Sequence, residues 1–233
     1  MSQTILHKAN SRGQANHGWL KSFHSFSFAS YHDASRMHFG YLRVLNDDIV
    51  AGGMGFGTHP HQNMEIISIP LKGDLEHRDT MGNVTVIKQG DVQVMSAGSG
   101  ISHSEFNKNK DQEVHFLQIW IIPNQQNVTP RYDQITLPSP KELNKLYQII
   151  SPNAEDEGIW IHQQAWFHLG QFEQNHQTTY TLHDTKHGVY VFVLEGSFTI
   201  NGELIERRDG LGIWDTAQLD ITALSDLAEI LLM

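Results

Sequence analysis

The sequence predicts an all-β chain of two consecutive barrel or sandwich domains, and three observations carry that expectation. Between Tyr41 and Ile122, short apolar segments alternate with Gly, Asn and Asp punctuation, the spacing of a barrel or sandwich. The same rhythm resumes at Tyr147 after a proline-punctuated interval. Finally, Ile67-Ser-Ile-Pro-Leu-Lys-Gly73 recurs as Tyr190-Val-Phe-Val-Leu-Glu-Gly196, an internal repeat that calls for two copies of one unit.

Taken in order, residues 1–40 mix histidines with Trp19, Phe23, Phe26, Phe28, Tyr31 and Phe39 and read as a packed aromatic opening segment. Tyr41–Leu45 reads as a strand, Asn46-Asp47-Asp48 as a turn, and Ile49-Val50 as the next strand. Glycines at 52, 53, 55 and 57 lead to His59-Pro60-His61, and Pro60, which lacks a ladder donor, places this stretch at a strand end or sheet edge. Strands follow at 65–71, 75–78, 84–88, 92–95 and 113–122, with Thr80-Met-Gly-Asn83 as a hairpin turn. The Gln/Asn-rich, Pro-flanked interval reads as a linker over 124–146, which separates a first domain, 1–123, from a second, 147–233. Second-half strands are expected at 147–150, 159–163, 166–169, 177–182, 189–194, 197–200 and 212–214.

Composition narrows the function classes. The 233 residues are 39% hydrophobic and 18% charged, ordinary for a folded protein. With 16 basic against 26 acidic side chains the formal charge is -10, and no Lys/Arg cluster relieves it, so nucleic acid is not an expected partner. A basic protein partner is compatible with that charge. Without cysteine there is no disulfide, thiolate ligand or catalytic thiol. The opening residues hold no apolar run of signal-peptide length, and no membrane-spanning run occurs further on, so a cytoplasmic monomer is expected.

The chemistry concentrates in two short stretches. Side chains alternate faces along a strand, so His59 and His61 share one face, as do His103 and Glu105. Two such strands side by side would aim three imidazoles and one carboxylate into one space. Fifteen histidines in 233 residues make a chance His-Xaa-His pair unremarkable. Two strand-compatible pairs, each led in by a glycine-rich stretch, are a more specific signal. Nitrogen and carboxylate donors suit one divalent first-row ion: Fe(II) leads, with Ni, Co, Mn, Cu and Zn as the other candidates. Open coordination positions would point to catalysis rather than a structural staple. When Gly73 is registered on Gly196, His59, His61 and Glu65 fall opposite Leu182, Asp184 and Gly188. The second copy therefore lacks the ligand set, and a single metal site is expected.

Longer motifs extend this reading. Asn16-His-Gly-Trp-Leu20, His24-Ser-Phe-Ser-Phe28, Leu42-Arg-Val-Leu-Asn-Asp-Asp48, Gly55-Phe-Gly-Thr-His-Pro-His61, Met64-Glu-Ile66, Met81-Gly-Asn83, Met95-Ser-Ala-Gly98, His103-Ser-Glu-Phe-Asn107 and Ile213-Trp-Asp215 together resemble the pirin family, in its bacterial quercetinase-like branch. The resemblance implies a bicupin, two tandem jelly-roll barrels of the cupin type. It places the metal ligands at His59, His61, His103 and Glu105 and makes Fe(II) the usual ion. Glu65 occupies a position that ligates in many other cupins, but the pirin pattern puts it outside the ligand set, with a supporting or substrate role open. His115, on an apolar strand, reads as a core histidine, with support of the metal ligands as its other role. The activity implied is dioxygenation of flavonols such as quercetin with release of carbon monoxide, with Glu105 as the base. The alternatives are a non-catalytic, metal- or redox-dependent regulator that binds a protein partner, and a cupin enzyme acting on another small enol.

Overall fold

A computed structural model describes residues 2–139 and 142–233; Met1, at the start of the first expected domain, and Pro140 and Lys141, inside the expected linker, lie outside the described residues. The chain is built almost wholly of strands and forms two compact units interleaved in sequence. One comprises Gly13–Ser139 and Ser151–Gln164; the other comprises Met1–Arg12, Pro140–Ile150 and Ala165–Met233.

The unit that begins at Gly13 is a two-sheet β structure. Its larger sheet runs Arg131–Thr136, Asp91–Ser96, Glu65–Lys72, Val114–Ile121, Leu42–Val50, Leu20–His24, Gly13–Asn16, with antiparallel pairing throughout. A four-stranded sheet faces it, in the order Gly55–His61, Ile101–Asn107, Leu75–Asp79, Val84–Ile87. Alternation sends Leu20, Val50, Val114 and Phe116 from one sheet against Leu75 and Ile87 from the other in one buried cluster. Ile66, Met95, Ala97 and Ile101 form a second cluster, with Trp120 packed against it.

Residues that read as turn or linker are strand here. Asn46, Asp47 and Asp48 lie inside the continuous strand Leu42–Val50 and are all buried. Their polar side chains suggest a turn, but two of them are partnered inside the sheet, Asp47 by His115 and Asp48 by Ser22, so burial does not break the strand. Within the expected linker, Arg131–Thr136 pairs with Asp91–Ser96. Its register is held by polar contacts at a sheet edge: Gln134 Nε2 and Thr136 Oγ1 donate to the two oxygens of Asp91, at 2.9 and 2.7 Å.

The other unit repeats the pattern. One sheet contains Gln3–His7, Gly210–Trp214, Val189–Glu195, Ala228–Leu232, Phe167–Phe172 and Lys145–Ser151, and a second contains Gln177–Thr181, Gln218–Ala223, Ser197–Ile200 and Glu203–Glu206. Val191, Val193, Phe198, Ile200, Leu211 and Ile213 are fully buried at its centre. The first strand of the chain belongs here, paired with Gly210–Trp214. The two repeat glycines do the same conformational job: Gly73 and Gly196 sit at φ of 76° and 75°, a left-handed turn that a side chain would strain. Among the described residues, no helix is long and apolar enough to cross a membrane.

Candidate functional site

The four-stranded sheet positions the chemistry. His103 lies directly opposite His59 on one neighbouring strand and opposite Asp79 on the other. Two residues on, Glu105 lies opposite Phe56 and His77. The ladder shifts register between His103 and Glu105. Gly55 makes this close pairing feasible, because a Cβ there would collide with the backbone oxygen of Glu105. Gly55–His61 is the edge strand, as Pro60 requires, and it ends at His61.

Three of the four expected ligands converge as imidazoles. Ring centroids are 4.5 Å apart for His59 and His103, 4.8 Å for His59 and His61, and 4.9 Å for His61 and His103. One ring nitrogen from each lies within 4.8 Å of the others. The Glu105 carboxylate, almost fully buried, comes within the same distance of ring nitrogens on His103 and His77. It accepts hydrogen bonds from Ser68 Oγ at 3.0 Å and from Gln118 Nε2 at 3.2 and 2.9 Å, both donors reaching across from the larger sheet.

The hydrogen bonds around the imidazoles leave nitrogen lone pairs facing one another. His59 donates Nδ1–H to the Gly57 carbonyl at 2.8 Å, which frees Nε2 as an acceptor. His77 Nε2–H donates to Asp79 Oδ2 at 3.1 Å, so His77 Nδ1 can accept from His103 Nδ1–H at 3.5 Å. That chain fixes His103 with a bare Nε2, and Nε2 is a buried atom with no hydrogen-bond partner. Burial alone would raise the Asp79 carboxyl, but hydrogen bonds from Asn83 and His77 hold it below its ordinary value. Burial, then repulsion from neighbouring imidazoles, pushes His61 down to about 4 and His103 down to about 3. Neutral, preoriented imidazoles and an orphaned buried nitrogen suit a divalent transition metal.

Glu65, with a supporting role open to it from the sequence, and His115, read as a core histidine, make their side-chain bonds away from the imidazole cluster. Glu65 alternates to the opposite face of its strand from Ser68; it accepts from Ser96 Oγ at 2.7 Å, and burial pushes it up to about 7 against the pull of Ser96 and Arg131. His115 alternates away from Phe116, Gln118 and Trp120 and pairs with Asp47 at 2.5 Å. Neither contacts the imidazole cluster through these bonds.

The site opens into a cavity of about 350 Å³, within the size range of small-molecule pockets. Trp19, Leu20, Phe28, Phe56 and Trp120 give it apolar walls, and His59, His61 and Glu105 lie at its polar end. Trp120 stands edge-on to both His61 and Phe28, with centroids at 5.0 and 5.4 Å, and donates Nε1–H to Gln118 Oε1 at 3.2 Å. This last bond sets the Gln118 amide so that its NH₂ faces Glu105. A further polar group lines the cavity: Ser22, His24, Asn46 and Asp48. Burial raises Asp48 to about 7. His77, Ser68, Gln118 and this polar group were not legible as site residues. A lone Gln inside the apolar run Val114–Ile121 was the one available signal.

Comparison with known proteins agrees with this architecture. The pirin profile matches residues 6–121, and the profile described as quercetinase C-terminal cupin domain matches residues 148–233. The Escherichia coli K12 protein named quercetin 2,3-dioxygenase is 43% identical over 227 residues, covering 97% of this chain and 96% of its own. The crystal structure of YhhW from Escherichia coli superposes with a TM-score of 0.94 at 42% identity, covering 99% of this chain and 96% of that one. A second structure of that bacterial pirin, in complex with nickel(II), gives 0.93 at 42% identity over 99% and 97% of the two chains. The chain is thus a two-cupin protein of the pirin family, in its bacterial quercetinase-like branch.

Proposed function

We propose that this protein is a metal-dependent dioxygenase that opens the heterocycle of flavonols such as quercetin and releases carbon monoxide. The observation that carries the reading is the convergence of three imidazoles, beside buried Glu105, at the polar end of an aromatic-walled cavity. The name of the Escherichia coli relative supports the same chemistry. His59, His61, His103 and Glu105 would hold one divalent metal, with Fe(II) favoured and Ni(II), the ion in the relative's structure, next. Such an ion would bring a flavonol and dioxygen together and make the bound 3-hydroxyl more acidic.

The protein's own groups do the rest. Trp19, Phe28, Phe56 and Trp120 offer ring faces and edges to a planar substrate and exclude water around it. Glu105 takes the 3-hydroxyl proton. A carboxylate offers about four acceptor sites. Ser68 and Gln118 use three of them, which leaves Glu105 capacity for one further partner. Ligation and proton acceptance therefore compete for the same oxygen lone pair, so Glu105 must loosen one bond when it takes a proton. Every side chain of the site comes from residues 13–139, so no second chain is required.

The reading is tested by loading metal-free protein with each divalent ion under argon, admitting oxygen and measuring flavonol loss against carbon monoxide. Equimolar loss and release, dependent on metal, is the expected result.

A further inference from the structure

The interior face of the larger sheet carries a polar row where a barrel core would be apolar. Reading the ladders across, His24 pairs with Asn46, Asn46 with Gln118, Gln118 with Ser68, and Ser68 with Gln93. The middle of this row, Gln118 and Ser68, orients Glu105. The His24 and Asn46 end has no role in holding Glu105, yet it lines the same cavity, beside Ser22 and Asp48. At about 4.8 Å per strand, the backbones of Asn46 and His24 stand about 5 and 10 Å from that of Gln118. They therefore lie along the cavity from the metal end.

The bonding there is one-sided. Ser22 has one hydroxyl proton and donates it to Asp48, so it accepts from His24 Nε2–H at 2.8 Å. The relay ends on the Asp48 carboxyl, which only accepts once it is ionised, above about pH 7. Beside it, Asn46 is 2% exposed, and its Oδ1 is a buried oxygen with no hydrogen-bond partner. Native interiors leave few such atoms orphaned. Asn46 and Asp48 both line the aromatic-walled cavity, and a ligand that brings O–H donors on a flat apolar ring would supply what the orphaned Asn46 oxygen and the end of the relay lack.

We propose that Asn46 and the His24–Ser22–Asp48 relay form a recognition subsite for the phenolic hydroxyls of a polyhydroxylated aromatic substrate, at the end of the molecule away from the metal. This rests on the flavonol reading above and adds its specificity: the protein selects for hydroxyls on the distal ring, beyond those that reach the metal. A ligand with the same metal-binding edge and no other hydroxyls fills the cavity but leaves the Asn46 and Asp48 oxygens unpaired. A site that hydrogen-bonds a substrate hydroxyl rejects the analogue lacking it.

The test is calorimetric titration of nickel-loaded protein under argon with quercetin and with 3-hydroxyflavone, which keeps only the 3-hydroxyl. The parent protein is expected to bind quercetin about tenfold or more tightly than 3-hydroxyflavone, the worth of one or two hydrogen bonds. Asn46→Leu should weaken quercetin about tenfold and 3-hydroxyflavone less than about twofold. Ser22→Ala, a smaller change that keeps the test alive if Asn46→Leu does not fold, should show the same selectivity to a lesser degree. Equal losses for both ligands, no preference in the parent, or no binding of quercetin would each overturn the subsite. Oxygen is excluded, so absence of dioxygenase activity would sink the proposed reaction while leaving this measurement intact. Turnover of both flavonols at equal affinity would sink the subsite alone.

Discussion

Gln118 donates from one amide nitrogen to both oxygens of Glu105, at 2.9 and 3.2 Å, so a residue of the larger sheet sets the carboxylate carried by the smaller one. The Trp120 indole, which stands edge-on to His61, fixes that amide in turn. Orientation of the carboxylate and packing of the cavity wall are therefore one structural feature. Changes to either side should appear first in rate and only later in stability.

Glu105→Gln separates charge from shape. The amide retains an oxygen of similar reach, but it carries no charge, cannot take up a flavonol proton near neutral pH, and turns an NH₂ toward that of Gln118. Turnover per bound metal should fall by about 10² to 10⁴, the usual worth of general-base catalysis, with weaker metal retention. Glu65→Gln is the matched control, since Glu65 faces the other side of its sheet, against Ser96. Initial rates per metal ion decide it: a near-parental rate for Glu105→Gln with a collapse for Glu65→Gln would move the base to Glu65.

His103→Ala and His59→Ala should abolish metal retention and leave the fold largely intact, because two buried apolar cores supply the stability. Metal analysis of the parent should return one ion per chain. Among the described residues, the two clusters able to hold metal share His103, and the repeat counterparts of His59 and His61 are Leu182 and Asp184. Two tightly held ions, or an unfolded metal-free chain at room temperature, would contradict this.

His77→Phe removes the acceptor that sets the His103 tautomer. Loss of such a supporting bond typically costs about 10- to 100-fold in metal affinity. Competition with a chelator should show that loss, and His77→Gln, which keeps an acceptor, should recover part of it. Unchanged affinity in His77→Phe would show that the Asp79–His77–His103 chain is structural only.

The pH dependence of stability has a defined sign. Glu65 rises from 4.5 to about 7 on folding, so its favourable contribution is complete below pH 4.5 and is lost as pH rises toward 7, about 3 kcal/mol in all. His61 and His103 fall well below 6.5, so in metal-free protein their contribution is present above 6.5 and is lost as pH drops. These slopes oppose each other between pH 4.5 and 6.5, so the comparison must be with a variant. Urea unfolding of Glu65→Gln against parent should show the variant gaining relative stability steadily from pH 4.5 to 7.5. A constant difference across that range would contradict the shift.

Much of this was legible in the residues because the expected ligands come as strand pairs. His59 with His61, and His103 with Glu105, obey a period of two, and the register shift between their two strands leaves it intact. The recurring Gly73 and Gly196 marked the repeat because both occupy a backbone region that favours glycine. What was hidden depended on long-range pairing. Asn46-Asp47-Asp48 has the composition of a turn, and only the neighbouring strands show it as a ladder rung with Ser22 and Gln118 alongside. Arg131–Thr136 was hidden in the same way, since a polar edge strand between prolines carries no hydrophobic alternation of its own. His77 resembles any strand histidine until His103 and Asp79 fall on either side of it.

The central claim is that a metal held by His59, His61, His103 and Glu105 supports opening of a flavonol by dioxygen. The direct measurement is carbon monoxide released per quercetin consumed by Fe(II)- or Ni(II)-reconstituted protein after oxygen is admitted, run beside His103→Ala. A ratio near one in the parent, with neither loss nor release in the variant, is the predicted result. Parent protein that retains its metal and binds quercetin, but releases no carbon monoxide with any divalent ion, would contradict the claim.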